Sequence, residues 1–388
     1  MTTKMFINDY LEKFGDKTFK ELPFSEVDAA ICGVLSYADY LASSLLKDKD
    51  LWNDKIPLSL FNKHETIKLL SRRYLTGPIV YYNFFKIVLK SKRYEELRLT
   101  KMENHFDPVN NAQYFSMVYE FKDRKIIVYR GTDNSIPGWK EDFLTAIEPE
   151  IPSQRYALEY LNKVLKEDKY PNYYVLGHSK GGNLAYFAFL NASEENKNRI
   201  KFVYNFDGNG FKNDSYDYHP YKNKIMKMVP SDDLVGCLFD TFNFKYIVAS
   251  NSFSVWAHDM LSWKIDLKTK NSFKRVANLT RYSKAYQIAL NYWVDNLSKE
   301  DLFDFIDFIF SLVDLEKPRT LKDLTNSFAK NQRIYFKSIE GFPKEKKKRL
   351  RRMTRNYIND FIYAYFDLSI KRFKKPFEEF NHKILEEK

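Results

Sequence analysis

The chain has 388 residues, 44% of them apolar and 17% aromatic, so it has enough apolar material for a large core and is not disordered. Its net charge of +12 favours an anionic partner at some part of the surface. Its longest apolar stretches, 79–85 and 305–313, fall well short of the roughly 20 residues that a membrane-spanning helix needs.

The cysteines and the N-terminus indicate a reducing compartment. Cys32 and Cys237 are too few for a disulfide framework and lack the spacing of a metal site. The first ten residues contain no unbroken apolar segment, so no signal peptide is expected. The predicted location is the cytoplasm.

The first hundred residues are predicted to be mainly helical. Between Phe24 and Arg98 apolar residues recur at helical spacing, and Asp28 stands in an opening turn, where the helix dipole favours a carboxylate. We expect residues 1–100 to form an N-terminal helical segment that packs on the core or caps it.

Residues 101–278 are predicted to form an α/β core. Short β-branched and aromatic runs alternate with helical stretches, which is typical of a mixed or parallel sheet flanked by helices. The predicted strands are 114–121, 125–129, 173–176, 202–206, 225–229 and 246–249, with a helix near 154–166.

Residues 279–388 are predicted to form a C-terminal helical segment. Leu302, Ile306 and Phe310 belong to an apolar stripe, and Pro318 is expected to end that helix. Farther along, Lys344 to Arg355 contains eight cations and one anion. This run is interpreted first as a solvated helix face and, alternatively, as a contact with anionic phospholipid. Nucleic acid is not expected, because the run lacks interleaved aromatic residues.

The hexapeptide GHSKGG at 177–182 predicts a nucleophile elbow, a sharp turn from a strand into a helix. It follows the strand 173–176 and opens a helix over 183–190, which is the context that the G-x-S-x-G pattern requires. Ser179 would present its hydroxyl at the carboxyl edge of the sheet. The Lys180 amide, at the start of the helix, would point to where an oxyanion forms.

A serine nucleophile needs a base and a carboxylate. Of six histidines, four lie upstream of the sheet, in the elbow or in the terminal helix, which leaves His258, preferred, and His219. In α/β-hydrolases the acid follows the second strand after the elbow and the histidine follows the third. That count favours Asp233, with Asp232 as the alternative; Asp207, one strand earlier, is a third choice.

The second oxyanion donor is expected at the junction after the strand 125–129. Gly131 there allows a close backbone approach, and Thr132 offers both an amide and a hydroxyl. A tight turn that merely closes the strand is the competing interpretation.

At these residues the chain resembles known families. The YRGT sequence at 129–132, with Trp139 and Asp142, resembles the F-R-G-T…W…D signature of class 3 (fungal-type) lipases, and GHSKGG resembles their elbow. The chain is more similar still to the bacterial Mbeg-like proteins of lipase fold, over roughly residues 20–320. The residues that carry this similarity are 26–29, 35–37, 138–143, Gln154, Ala157, Tyr160, 177–185, 235–236, His258, Asp259 and Trp263.

The resemblance implies an α/β-hydrolase fold with Ser179 as nucleophile, His258 as base and Thr132 as an oxyanion donor. Class 3 lipases carry their acid in a D-x-V context, which residues 233–235 reproduce. The expected function is a serine hydrolase of the lipase, esterase or phospholipase type that acts on a small-molecule or lipid ester, with no metal or organic cofactor. The alternative is a catalytically weak or inactive hydrolase-fold protein that binds or regulates a partner.

Overall fold

The computed structural model describes residues 4–72, 74, 76–133, 135–211, 216–240, 245–316 and 342–366. Its centre is a mixed sheet whose strands follow chain order across the sheet. The strands are β1 (Ile56–Pro57), β2 (Arg98–Asp107), β3 (Ala112–Glu120), β4 (Lys125–Tyr129), β5 (Tyr173–His178), β6 (Ile200–Phe206), β7 (Ile225–Pro230) and β8 (Tyr246–Val248). Strands β1 to β4 pair antiparallel, and β4 to β8 pair parallel.

Helices lie before, between and after the strands. They are α1 (Ile7–Phe14), α2 (Glu26–Leu35), α3 (His64–Leu70), α4 (Pro78–Lys90), α5 (Ile136–Leu144), α6 (Pro152–Glu167), α7 (Lys180–Asn191), α8 (Glu194–Arg199), α9 (Arg281–Asp295), α10 (Lys299–Glu316) and α11 (Lys344–Phe366). None of the helices in the described ranges combines the length and apolar character needed to cross a membrane.

Both faces of the parallel strands are buried, which explains their continuous apolar runs. In β4, Ile126 and Val128 pack against the N-terminal helices, whereas Ile127 and Tyr129 pack against α6 and α7. This alternation follows from the two-residue period of a strand. The sheet is therefore the middle layer of the core. Polar functional residues are expected at the ends of its strands, where the chain leaves the sheet.

The C-terminal helices form a cluster of their own beside α5. Trp293 of α9 donates its Nε1–H to the Met353 carbonyl of α11 at 2.9 Å. Phe310 of α10 packs edge-on against Phe143 of α5, with ring centroids 5.7 Å apart. Since α5 follows the predicted oxyanion loop, these helices adjoin the carboxyl edge of the sheet.

The predicted α/β fold of the hydrolase type is confirmed, and each of the six predicted strands is present with ends shifted by at most a few residues. The sequence did not predict β1 or β2. The second half of strand β2 is partly exposed and carries polar side chains such as Glu103 and Asn104, and this hides the strand pattern. Pro318 lies outside the described residues, and the division at residues 100 and 278 stays a prediction.

Candidate active site

Ser179 occupies the turn between β5 and α7 in a conformation that few non-glycine residues adopt. Its φ is 58° and its ψ is −134°, and its amide donates to the Phe206 carbonyl at 2.9 Å. A side chain at Gly181 would overlap the Tyr129 carbonyl, so only glycine lets the helix start this close to β4. Strained backbone of this kind is concentrated at functional sites.

His258 ends a short 3-10 helix, Ser254–His258, and points its Nδ1 at a carboxylate. The distance from Nδ1 to Asp207 Oδ2 is 2.7 Å. Within the described residues Nε2 has no hydrogen-bond partner, so the tautomer that donates from Nδ1 leaves a lone pair on Nε2. Burial lowers the pKa of His258 below its usual value, which keeps the ring neutral at pH 7 and so able to accept a proton.

The imidazole also packs against the residue that precedes the nucleophile. The His178 and His258 rings lie 4.4 Å apart, and His178 Nε2 donates to the His258 carbonyl at 2.8 Å. In the described part of the chain the Ser179 hydroxyl makes no hydrogen bond, to His258 or to any other group. Hydrogen bonds between nucleophile and base are often long before substrate binds.

The carboxylate that contacts His258 Nδ1 belongs to Asp207. The strand count had favoured Asp233, with Asp232 as the alternative. Asp207 directly follows β6, the neighbour of β5, so it lies beside the elbow at the same sheet edge. Its φ of 53° is left-handed, a conformation that aspartate tolerates better than most residues.

The two aspartates after β7 bond to groups other than the base, Asp233 within its own loop and Asp232 to residues farther along the chain. Asp233 Oδ1 accepts from the amides of Val235, at 2.7 Å, and Gly236, at 2.9 Å. Asp232 accepts from the Ser254 amide at 2.9 Å and from the Thr280 hydroxyl at 2.6 Å. The carboxylate that contacts His258 therefore follows β6, one strand earlier than the counting rule expected.

The other histidine that the sequence left open, His219, is exposed on a 3-10 turn shortly before β7. Strands β5 and β7 run parallel within one sheet, so the start of β7 lies at the edge away from Ser179.

Two backbone amides are available near Ser179. The amides of Thr132 and Lys180 have no acceptor within the described residues. Gly131 brings the Thr132 loop against the elbow: a Cβ at position 131 would meet the His178 carbonyl at 2.5 Å and Ser179 Cβ at 3.0 Å. The loop and the elbow are thus in direct backbone contact, as an oxyanion hole requires.

The Thr132 hydroxyl already has an acceptor. Its Oγ1 donates to the Asp142 carboxylate and lies 2.8 Å from Oδ1 and 2.6 Å from Oδ2. Burial raises the pKa of Asp142 to about 6, partly offset by Lys180 and by the hydrogen bond from Thr132. The amide of Thr132, and not its hydroxyl, is therefore the donor left for an oxyanion.

The Lys180 side chain, for which no role was expected, is buried in an ionic network behind the elbow. Its Nζ lies 2.7 Å from Glu141 Oε2 and 2.7 Å from the Gln113 carbonyl. Gln113 Oε1 in turn accepts from the Asp133 amide at 3.3 Å, next to Thr132. The network joins α7, α5 and the oxyanion loop, and pairing compensates the burial of both charges.

The N-terminal segment contacts the residues that adjoin Ser179 and His258. Tyr37 Oη lies 2.8 Å from His178 Nδ1, and because His178 Nε2 must donate to a carbonyl, Nδ1 accepts from the tyrosine. Asp259, next to the base, accepts from the hydroxyls of Tyr74 at 2.8 Å and Thr76 at 2.5 Å. These contacts fix the His258 loop. Across the described ranges, no cluster of His, Cys, Asp and Glu is suited to a metal ion.

A family model described as Mbeg1-like matches residues 88–311. The chain belongs to the Mbeg1-like family. The match includes all the groups just described except Tyr37, Tyr74 and Thr76. Comparison with curated protein sequences finds no significant match.

Among solved structures, this Mbeg1-like protein is similar to two lipases at low identity. The native Rhizomucor miehei lipase propeptide complex is 19% identical with a TM-score of 0.30, over 40% of this chain and 58% of that chain. The M37 lipase is 19% identical with a TM-score of 0.32, over 47% of this chain and 70% of that chain. The chain thus spans less than two thirds of the Rhizomucor enzyme.

Proposed function

We propose that this Mbeg1-like protein is a serine hydrolase that cleaves carboxylic esters through an acyl-enzyme, with Ser179 as nucleophile, His258 as base and Asp207 as acid. The observation that carries the proposal is the 2.7 Å contact between His258 Nδ1 and Asp207 Oδ2, which leaves Nε2 as a proton acceptor beside a strained serine elbow.

The chemistry follows from these positions. Ser179 Oγ attacks the ester carbonyl carbon while His258 Nε2 takes its proton, and the resulting oxyanion accepts from the amides of Thr132 and Lys180. The tetrahedral intermediate collapses, the bond from the acyl carbon to the alcohol oxygen breaks, and His258 protonates the leaving alcohol. Water then repeats the sequence on the acyl-enzyme and releases the acid. Asp207 holds the imidazole and stabilises the imidazolium in each step.

The test is hydrolysis of p-nitrophenyl esters of increasing chain length, assayed beside a phospholipid. Wild-type protein should hydrolyse at least one substrate, and Ser179→Ala should remove the activity. Asp232→Asn is the matched control, because Asp232 neighbours the site without touching the base. Well-folded wild-type protein that hydrolyses none of them and shows no Ser179-dependent labelling would favour the alternative, a hydrolase-fold protein that binds or regulates a partner.

We further propose that the substrate lies at an anionic lipid surface reached through the basic run 344–355. On α11 the side chains of Lys348, Arg351, Arg352 and Arg355 are exposed and make no ion pair within the described residues. By contrast, Lys346 bonds to Asp304 of α10 at 2.8 Å. The unpaired cations form the part of the run that an anionic surface can reach.

Exposed apolar side chains continue the same helix. Ile358, Ile362 and Phe366 are 48%, 45% and 72% exposed, spaced four residues apart. Arg351 and Arg355 precede them with nearly the same spacing, so one helical stripe passes from basic to apolar. This combination favours contact with both headgroups and acyl chains.

Vesicle sedimentation tests this contact. The triple variant Arg351→Gln, Arg352→Gln and Arg355→Gln should bind phosphatidylserine-containing vesicles about 100-fold more weakly, at about 1 kcal/mol per cation. A control that changes the exposed Lys47, Lys49 and Lys68 to Gln alters the net charge equally and should bind as wild type does. Equal binding to pure phosphatidylcholine vesicles, or no loss in the first variant, contradicts the proposal.

A further inference from the structure

A second carboxyl group stands directly behind the acid of the proposed triad. Asp207 and Asp233 are 0% and 1% exposed, and both accept from one backbone N–H. The Gly236 amide lies 3.2 Å from Asp207 Oδ1 and 2.9 Å from Asp233 Oδ1. Two carboxyl groups that converge on one donor in a buried place cannot both carry a full charge without a large electrostatic cost.

The hydrogen bonds of Asp233 indicate where a proton belongs. Its Oδ1 has two amide donors, whereas its Oδ2 is buried without an N–H or O–H donor among the described residues, and the Cys237 thiol is the weak donor nearby. A buried carboxylate oxygen without a donor is rare in native proteins. The neighbouring carboxyl of Asp207 can accept but not donate while it is ionised against His258. A proton on Asp233 supplies the missing hydrogen bond.

We propose that Asp233 is a positioning residue: it stays protonated and hydrogen-bonds the Asp207 carboxylate, which holds that carboxylate ionised and oriented toward His258 Nδ1. The inference rests on the proposed function, because it assigns Asp207 as the triad acid. Asp233 does not touch the substrate; it acts only through Asp207.

The charged surroundings agree with one proton in the pair. Burial raises the pKa of Asp233 to about 8, helped by repulsion from Asp207. Burial also raises the pKa of Asp207, to about 7, although Lys227 of β7 lowers it. The other titratable groups that face the pair are His258, Cys237, Asp240, Lys245 and Tyr286, contributed by the loops around β8 and by α9. Lys227 forms a salt bridge with Asp240, with 2.8 Å between Nζ and Oδ1, so neither group pairs with the Asp233 carboxyl.

Kinetics with Asp233→Asn test the role in catalysis. An asparagine amide can donate to Asp207 at every pH, so kcat at pH 7 should stay within about three-fold of wild type. In wild type, kcat/KM should fall above pH 8 as Asp233 ionises and repels Asp207. One pH unit above the pKa of Asp233 the fall should be about ten-fold. The variant should lack this alkaline decline, and Asp232→Asn should keep it. An unchanged alkaline decline in Asp233→Asn overturns the proposal.

Thermal unfolding tests the proton without using catalysis. A carboxyl whose folded pKa is raised binds a proton that the unfolded chain has lost, so it reduces stability as pH rises from about 4 to about 8. The melting temperature of Asp233→Asn minus that of wild type should therefore increase between pH 5 and pH 8.5. A difference that is constant with pH, as expected for Asp232→Asn, overturns the shared proton.

The two readouts separate two kinds of failure. If wild type hydrolyses no ester and Ser179 takes no covalent label, the proposed function fails, while the unfolding experiment still decides whether Asp233 keeps a proton. If wild type is active and the unfolding difference is flat, the hydrolase stands and the carboxyl pair is refuted.

Discussion

Replacement of Asp207 by Asn should nearly abolish hydrolysis while the protein stays folded. The carboxylate is fully buried and lies 2.7 Å from His258 Nδ1, so solvent does not screen its effect on the imidazole. An asparagine can donate to Nδ1 and so stabilise the wrong tautomer, with the proton on Nε2 where the serine proton should go. The same change in a serine protease triad lowers kcat about 10⁴-fold, which corresponds to about 5.4 kcal/mol of barrier.

The assay is kcat for the best p-nitrophenyl ester, with Asp232→Asn and Asp233→Asn measured in parallel. We expect a loss of about 10⁴-fold in Asp207→Asn, none in Asp232→Asn and at most about three-fold in Asp233→Asn at pH 7. A large loss in Asp233→Asn together with near-normal turnover in Asp207→Asn would refute the reasoning. It would return the acid to the position that the strand count favoured.

Three further predictions concern the base, the oxyanion loop and the ionic network. Protonation of either His258 or Asp207 should reduce activity in acid, and because burial lowers the pKa of His258 and raises that of Asp207 to about 7, kcat/KM should fall below pH 7; an acidic midpoint well above 7 contradicts this. In Gly131→Ala the new methyl group would overlap Tyr37 Oη, so turnover should fall by roughly 100-fold or more as an oxyanion donor moves; normal kcat refutes the loop assignment. Lys180→Met leaves the buried Glu141 carboxylate unpaired and should cost about 3–5 kcal/mol in chemical denaturation, whereas Lys180→Met with Glu141→Gln should recover part of it. A loss below 1 kcal/mol contradicts the importance of the pair.

The fold and the turn that carries Ser179 could be predicted from sequence because their signals are local. The parallel strands are buried on both faces and therefore appear as short continuous apolar runs, as in 125–129 and 173–178. The elbow needs glycines at fixed offsets from Ser179, since any side chain at Gly181 would overlap β4. Both features are set by neighbours in the chain or by simple periodicity.

The carboxylate that contacts His258 and the networks behind the site could not be predicted this way. Counting strands identified the correct edge of the sheet but not the carboxylate that faces the base, because Asp207 and Asp233 both follow parallel strands at that edge. Which aspartate faces His258 depends on two local features. Asp207 has a left-handed backbone, and the side chain of Asp233 accepts hydrogen bonds from amides of the loop after β7. The contact of Lys180 with Glu141 spans 39 residues and has no periodic signal.

The most direct measurement is covalent labelling by a fluorophosphonate probe, with the modified residue located by peptide mass spectrometry. We expect a single adduct on Ser179, absent in Ser179→Ala and formed much more slowly in His258→Ala. An adduct on another serine, or no adduct in protein shown to be folded by circular dichroism, would contradict a nucleophile at the β5–α7 elbow.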